Sequence, residues 1–238
     1  MIRSRVHFFT QRFFSNQQRK LDDILDKSYD TVERRKELFN PSGSIFKISS
    51  VFSPLECQKL IEFSEQIQFQ EEKFITDLGE GIKTPEQNRI NVNKEILNFS
   101  HLIIHDETNK FTNQIYNRIK QYLPETFDDV KEKKQWKVKK LHETHTICKY
   151  ALNQQFKPQT PGISNKLADG TGKKYSVIIY VNDDYKGGET EFNKYVVDPE
   201  LGSAVVFYNK FIHVSAPLQS GTKYLFLTDA IYEPIKEI

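Results

Sequence analysis

The strongest constraint on this chain is a change of texture near Trp136. From there to the C terminus the sequence consists of short β-rich runs, "THTICKY", "KYSVIIYVND", "SAVVFY", "FIHVSAP" and "KYLFLTDAIY". Turn chemistry separates them: Pro161-Gly162, Gly170-Thr171-Gly172, Gly187-Gly188, Pro199 with Gly202, and Ser220-Gly221. Before Trp136 the periodicity is helical. Residues 17–39 predict a charged helix with Leu21, Ile24, Leu25, Tyr29 and Val32 on one face. The strand-like "IFKISSVF" follows. Ser53-Pro54-Leu55-Glu56 then combines an N-cap, a proline at the first helical position and a capping glutamate. The helix it starts would present Leu55, Leu60, Ile61, Ser64 and Ile67, and another is expected from about Glu107 to Tyr122, ahead of Pro124. Helices followed by many short strands predict an α+β fold, a jelly roll or barrel with N-terminal helices packed outside it. A length of 238 residues allows one large domain or two small ones, and 18 Phe with 11 Tyr supply the bulk of a core.

Charge is unevenly spread. Residues 1–20 hold five Arg or Lys and no acid, so a chain of net charge +2 has a basic head on a body of −3. An Arg-, Phe- and Ser-bearing head without acids has the composition of a mitochondrial transit peptide, and Arg12-Phe13-Phe14-Ser15 resembles a matrix-protease cleavage point. Its apolar residues Ile2, Val6, Phe9 and Phe13 fall on one helical face. A disordered basic tail or a nucleic-acid arm is the alternative, but an arm rarely carries four Phe. The expected location is the matrix or the matrix side of the inner membrane. Cys57 and Cys148 make neither a disulfide framework nor a zinc set, and the count suits a reducing interior. Cys148 reads as a small buried hydrophobe. No run approaches the ~18 apolar residues of a membrane span. "VKEKKQWKVKK" packs six Lys around Trp136; it could meet anionic lipid, nucleic acid or an acidic protein face, but a Lys-blunted edge strand with Trp136 turned inward is the simpler reading. The chain lacks a Walker-type loop, a Gly-x-Ser-x-Gly elbow and a Cys/His pair with an orienting acid, which removes the common hydrolase readings.

Five segments, "CKYALNQQFKPQTPG", "SVIIYVNDDYKGGETEF", "VDPELGSAVVFY", "FIHVSAPLQSGTKYLFLTDAIYE" and the earlier "IFKISSVFSPLECQKLIEFSE", occur in an order and spacing that resemble the prolyl 4-hydroxylase-like iron(II)- and 2-oxoglutarate-dependent dioxygenases. The likeness covers most of residues 44–233. It implies a double-stranded β-helix core, and it divides the chain into a targeting-like segment (1–20), a helical extension (21–43) and an oxygenase-like domain (44–238).

The resemblance also implies a site. The family holds iron through a His-x-Asp pair and a distal His, a facial triad that leaves three positions for 2-oxoglutarate and dioxygen. His213 falls at the distal His. Lys223, ten residues later, falls where a basic residue holds the far carboxylate of 2-oxoglutarate, and the intervening "PLQSG" turn would place the two on adjacent antiparallel strands. Lys223 alternates with Leu225 and Leu227 against Tyr224 and Phe226, so it either meets a bound carboxylate or snorkels to solvent. The His-x-Asp pair aligns to Gln159-Thr160-Pro161. An amide oxygen is a weak neutral ligand and proline has no side-chain donor, so His213 would be left alone. Substitutes are poor. His105-Asp106-Glu107 reads as a helix-cap cluster, His142 and His145 would point to opposite faces of a strand, and Asp169 sits in turn chemistry with Gly170 and Gly172.

The resulting expectation is a catalytically inactive dioxygenase-fold protein without a cofactor. It would serve as an accessory subunit of a mitochondrial assembly, with respiratory complex I the first candidate. It would dock to protein subunits partly through residues 1–40, bind no nucleic acid, and lie close to a membrane as a peripheral protein. The alternative is an active iron(II)/2-oxoglutarate-dependent prolyl (peptidyl) hydroxylase with a rebuilt metal site.

Overall fold

A computed structural model describes residues 17–67, 69–71, 99–154 and 166–237. The architecture is organised around one long strand, β15 (Lys223–Glu237). Its outer neighbours are β8 (Gly172–Tyr180) on one side and, on the other, first β7 (Thr144–Tyr150) and then β6 (Lys134–Leu141), all antiparallel. The sheet continues past β8 through β12 (Ala204–Tyr208) and β2 (Ile45–Ile48) to β1 (Lys36–Leu38). Past β7 it continues through β4 (Ser100–His105) to β3 (Gln70–Glu71), and β5 (Thr126–Asp129) is attached to β6. Facing it are two smaller sheets. One contains β10 (Thr190–Phe192) between β11 (Tyr195–Val197) and β13 (His213–Ser215); the other pairs β9 (Lys186–Gly187) with β14 (Leu218–Ser220). This mixed α+β arrangement, a curled antiparallel sheet closed by shorter strands, is a jelly roll.

The period-2 alternation of strand side chains explains the large sheet's two cores. Phe46, Ile48, Val177, Ile179, Val206 and Phe226 face outward onto helices α1 (Pro54–Gln66) and α2 (Lys110–Ile119), where Phe52, Phe111 and Phe226 pack with ring centroids 5.7–6.4 Å apart. Their neighbours Ile45, Cys148, Tyr150, Ile178, Tyr180, Val205, Phe207 and Leu225 face inward onto Phe192, Val197 and Leu218 of the small sheets. Burial on both faces is why "SVIIYV" reads as a continuous apolar run. Gly202 marks one tight join: its carbonyl accepts from the Val51 and Phe52 amides (2.8 and 3.0 Å) at φ +73°, and a Cβ there would sit on the Phe52 carbonyl oxygen. Among the described residues no helix is long and apolar enough to cross a membrane.

The helix expected over 17–39 does not form as one element. Residues 17–22 are helical, Lys27–Thr31 make a 3-10 turn, and β1 then joins the main sheet. Local capping breaks the run. The Asp26 carboxylate takes the Ser28 amide (2.8 Å), and the buried Arg34 guanidinium reaches back to the carbonyls of Tyr29, Asp30 and Val32. Leu21, Ile24 and Leu25 are nonetheless 1–6% exposed and belong to the principal core, whereas Tyr29 and Val32 are half-buried. Leu21→Ala is therefore expected to cost about 2–5 kcal/mol in urea unfolding, the range for a buried leucine, where an unpacked tail residue would cost nothing.

The capping box at Ser53 and Glu56 is present, but the helix rotates differently from the expected face. Leu55 is 56% exposed, and Cys57 and Phe63 point inward with Leu60 and Ser64. The cause is Glu56, drawn in by Arg118. β6 is also less of an edge than its lysines suggest: β5 covers Lys134–Lys137, and Trp136 is 1% exposed in the core.

Candidate functional site

Lys223, the first residue of β15, points between the two layers and is fully buried. Its ammonium donates to Ser215 Oγ (2.8 Å) and to the Gly188 carbonyl, and it lies 5.3, 6.0 and 5.9 Å from the ring centroids of Tyr150, Tyr180 and Tyr185. Among the described residues no carboxylate forms an ion pair with it. Burial pushes the Lys223 ammonium down to about 7, with Cys148 and Glu189 acting in the other direction. The snorkelling alternative is therefore not what forms. Gly188 completes the cage: at φ +70° a Cβ would come within 3.1 Å of Lys223 Cδ. Among the described residues the buried Tyr185 hydroxyl has no hydrogen-bond partner, while that of Tyr180 donates to Thr190 Oγ1 at 2.7 Å. Among the described residues the buried ammonium is thus held by neutral groups, Ser215 Oγ and the Gly188 carbonyl, within reach of three tyrosine rings.

His213 does not lie on a strand adjacent to Lys223, as the short "PLQSG" connection suggested. It sits in β13, which pairs with β10 in the facing sheet, while "PLQSG" leads through β14. His213 therefore belongs to the small sheets and Lys223 to the large one, and the Lys223–Ser215 bond is one of the ties between those layers. The His213 ring packs 4.6 Å from Phe207 and 6.0 Å from Phe192. Burial pushes its imidazole down to about 4, so it is neutral near pH 7, the form that can bind a metal.

A cavity of about 410 Å³ opens beside His213, lined also by Thr144, Thr146, Cys148, Ser176 and Thr228. A smaller space of about 40 Å³ continues from it toward Tyr150, Thr190 and Ser215, sharing Phe99, Cys148, Ile178, His213 and Leu227. The carboxylate in the larger lining, Asp229, is tied to Lys173 (3.0 Å) and Ser176 (3.1 Å). Cys148 is 2% exposed, and burial pushes its thiol up to about 12.

Gln159 and Pro161 lie outside the described residues. Among the described ones no three His, Cys, Asp or Glu side chains converge as a metal site. The candidate substitutes have other duties. Asp106 is fully buried and accepts from the Thr112 amide and hydroxyl (both 2.8 Å), capping α2; His145 is buried against the same hydroxyl (2.9 Å); and Asp169 holds the Thr171 amide (3.0 Å) in its own turn. Among the described residues the candidate donors do not assemble an iron centre. Alternation in "SVIIYV" could have placed Tyr180 inward. Tyr185, Gly188 and Asp229 carry no such signal, because loops and long-range pairing bring them to the site.

No protein-family model matches the chain, and no curated protein matches its sequence. Solved structures do match it in fold. A viral collagen prolyl hydroxylase from Paramecium Bursaria Chlorella virus-1, in complex with 2-oxoglutarate, superposes with a TM-score of 0.51 at 16% identity, over 80% of this chain and 96% of that one. A Trichoplax adhaerens prolyl hydroxylase in complex with a hypoxia inducible factor peptide fragment superposes at 0.50 and 12% identity, over 91% of each chain. At these identities the likeness establishes the jelly-roll fold.

Proposed function

We propose that this chain is a dioxygenase-fold protein that has lost its iron centre and acts as a non-catalytic accessory subunit of a mitochondrial assembly, respiratory complex I being the first candidate. One observation carries the reading. At the place the resemblance gives to the His-x-Asp pair the chain has Gln159-Thr160-Pro161, which would remove the only carboxylate ligand and leave His213 as the single strong donor. The basic head supports mitochondrial import. Leu21, Ile24 and Leu25 anchor the extension that follows the head to the domain core. The second reading, an active peptidyl hydroxylase with a rebuilt site, is favoured by Lys223, buried with no counter-acid among the described residues, and by the 410 Å³ cavity beside His213.

An anaerobic titration with iron(II) and 2-oxoglutarate separates the two. The natural chain is expected to give no visible charge-transfer band, and Gln159→His with Pro161→Asp is expected to restore one. A band from the natural chain would overturn the inactive reading. Co-migration with a respiratory complex on native gels is expected of the accessory subunit; migration of the endogenous protein as a free monomer would refute that role.

A further inference from the structure

The turn between β5 and β6, Asp129-Val130-Lys131-Glu132-Lys133, alternates in charge along the sequence, but the fold sorts it. Asp129 is 4% exposed and accepts from Lys210 (2.9 Å) and the Tyr208 hydroxyl (2.8 Å). Glu132 turns inward to Lys174 (2.7 Å), which is itself 1% exposed and sits 3.7 Å over the Trp136 ring. Both acids are thus neutralised from beneath by lysines of β8 and of the segment after β12. Lys131 and Lys133 remain exposed in the residues that follow Val130, the most exposed large hydrophobic residue described, at 79%. Lys137 and Lys139 are exposed along β6 behind them, and Ile235, 47% exposed, lies on the paired end of β15.

We infer that this hairpin tip is a docking surface for an anionic lipid bilayer, with Val130 entering the headgroup boundary and Lys131 and Lys133 held at the level of the lipid phosphates. A scattered exposed valine needs no explanation by itself. An aliphatic apex beside exposed Lys131 and Lys133, with Asp129 and Glu132 drawn inward and Asp128 left as the exposed acid at the turn, has the charge and polarity order of a lipid interface. Nucleic acid fits less well, because the aromatic residue that could stack on a base, Trp136, is in the core. The inference does not depend on whether the iron site works.

Sedimentation of the full chain with vesicles tests it, comparing phosphatidylcholine alone with phosphatidylcholine mixed with phosphatidylglycerol. Binding is expected only with the anionic mixture and is expected to weaken in high salt. Lys131→Gln with Lys133→Gln should lower the partition coefficient about 25-fold, at about fivefold per lysine. Val130→Asp should lower it as well, with unchanged melting temperatures. Three results would overturn the proposal: tip variants that sediment like the natural chain, which would assign binding to the basic segment 1–20 or another face; equal binding to neutral vesicles; or no binding to the anionic ones. Tip-dependent binding of a single-stranded oligonucleotide in place of vesicles would transfer the surface to nucleic acid.

Discussion

Arg118→Ala is expected to destabilise the domain by about 3–5 kcal/mol, the cost of breaking a buried ion pair by removing one partner. Arg118 is 1% exposed on α2, and every direction of its guanidinium is used. Nη1 and Nη2 make a two-pronged contact with Glu56 (2.9 and 2.8 Å), Nε meets Asp30 (2.7 Å), and the remaining donors reach the carbonyls of Val51 (2.9 Å) and Asp26 (2.8 Å). Glu56 is itself 1% exposed and accepts from the amides of Ser53 (2.7 Å) and Asp26 (2.6 Å). One arginine therefore joins α2, the start of α1 and the N-terminal extension. Its removal leaves a buried carboxylate with amide donors but no cation. Combining Arg118→Met with Glu56→Gln should recover part of the loss, since the stranded charge is then gone. Urea unfolding measures both. A cost below about 1 kcal/mol for the single change would place this cluster among ordinary surface pairs.

Lys223→Met is expected to stabilise the chain at pH 6, an unusual outcome for a fully buried position. In the unfolded chain the ammonium keeps its proton to about pH 10.5; in the folded one burial lowers this to about 7. Folding therefore costs the full protonation penalty below pH 7, and the cost fades as pH rises toward 10.5. At ~1.4 kcal/mol per pKa unit the penalty is at most roughly 5 kcal/mol, and between pH 7 and 9 it should shrink by about 3 kcal/mol. Methionine has a similar shape and no charge, and the Ser215 hydroxyl can turn to the Gly188 carbonyl, already 3.5 Å away. The natural chain should gain stability from pH 6 to 9 relative to the variant, and other groups cancel in the comparison. Parallel pH profiles with no advantage for methionine at pH 6 would mean that the cage accommodates the cation without strain. A carboxylate ligand would act in the opposite sense, stabilising the protonated form and losing affinity above pH 7.

Much of the fold was legible. The alternation of Lys223, Leu225 and Leu227 against Tyr224 and Phe226 located the two faces of β15 before any partner strand was known, and the Ser53–Glu56 box located the start of α1. These are local signals: periodicity and caps depend on residues a few positions apart. The helix over 17–39 was misjudged for a matching reason. Its apolar spacing was real, and Leu21, Ile24 and Leu25 are buried, but Asp26 and Arg34 cap short turns and β2 claims residues 36–38 as a strand.

The sequence by itself determined that His213 and Lys223 stand ten residues apart and that Gln159 and Pro161 carry no charge. Only the tertiary structure decided how charges find partners. It placed His213 and Lys223 on opposing layers, enclosed Lys223 among three tyrosines with no acid paired to it among the described residues, and turned Asp129 and Glu132 inward to Lys210 and Lys174. The physical reason is range. A side chain's face follows from its neighbours in the chain, but its counter-charge comes from residues such as Lys210 for Asp129, 81 positions away.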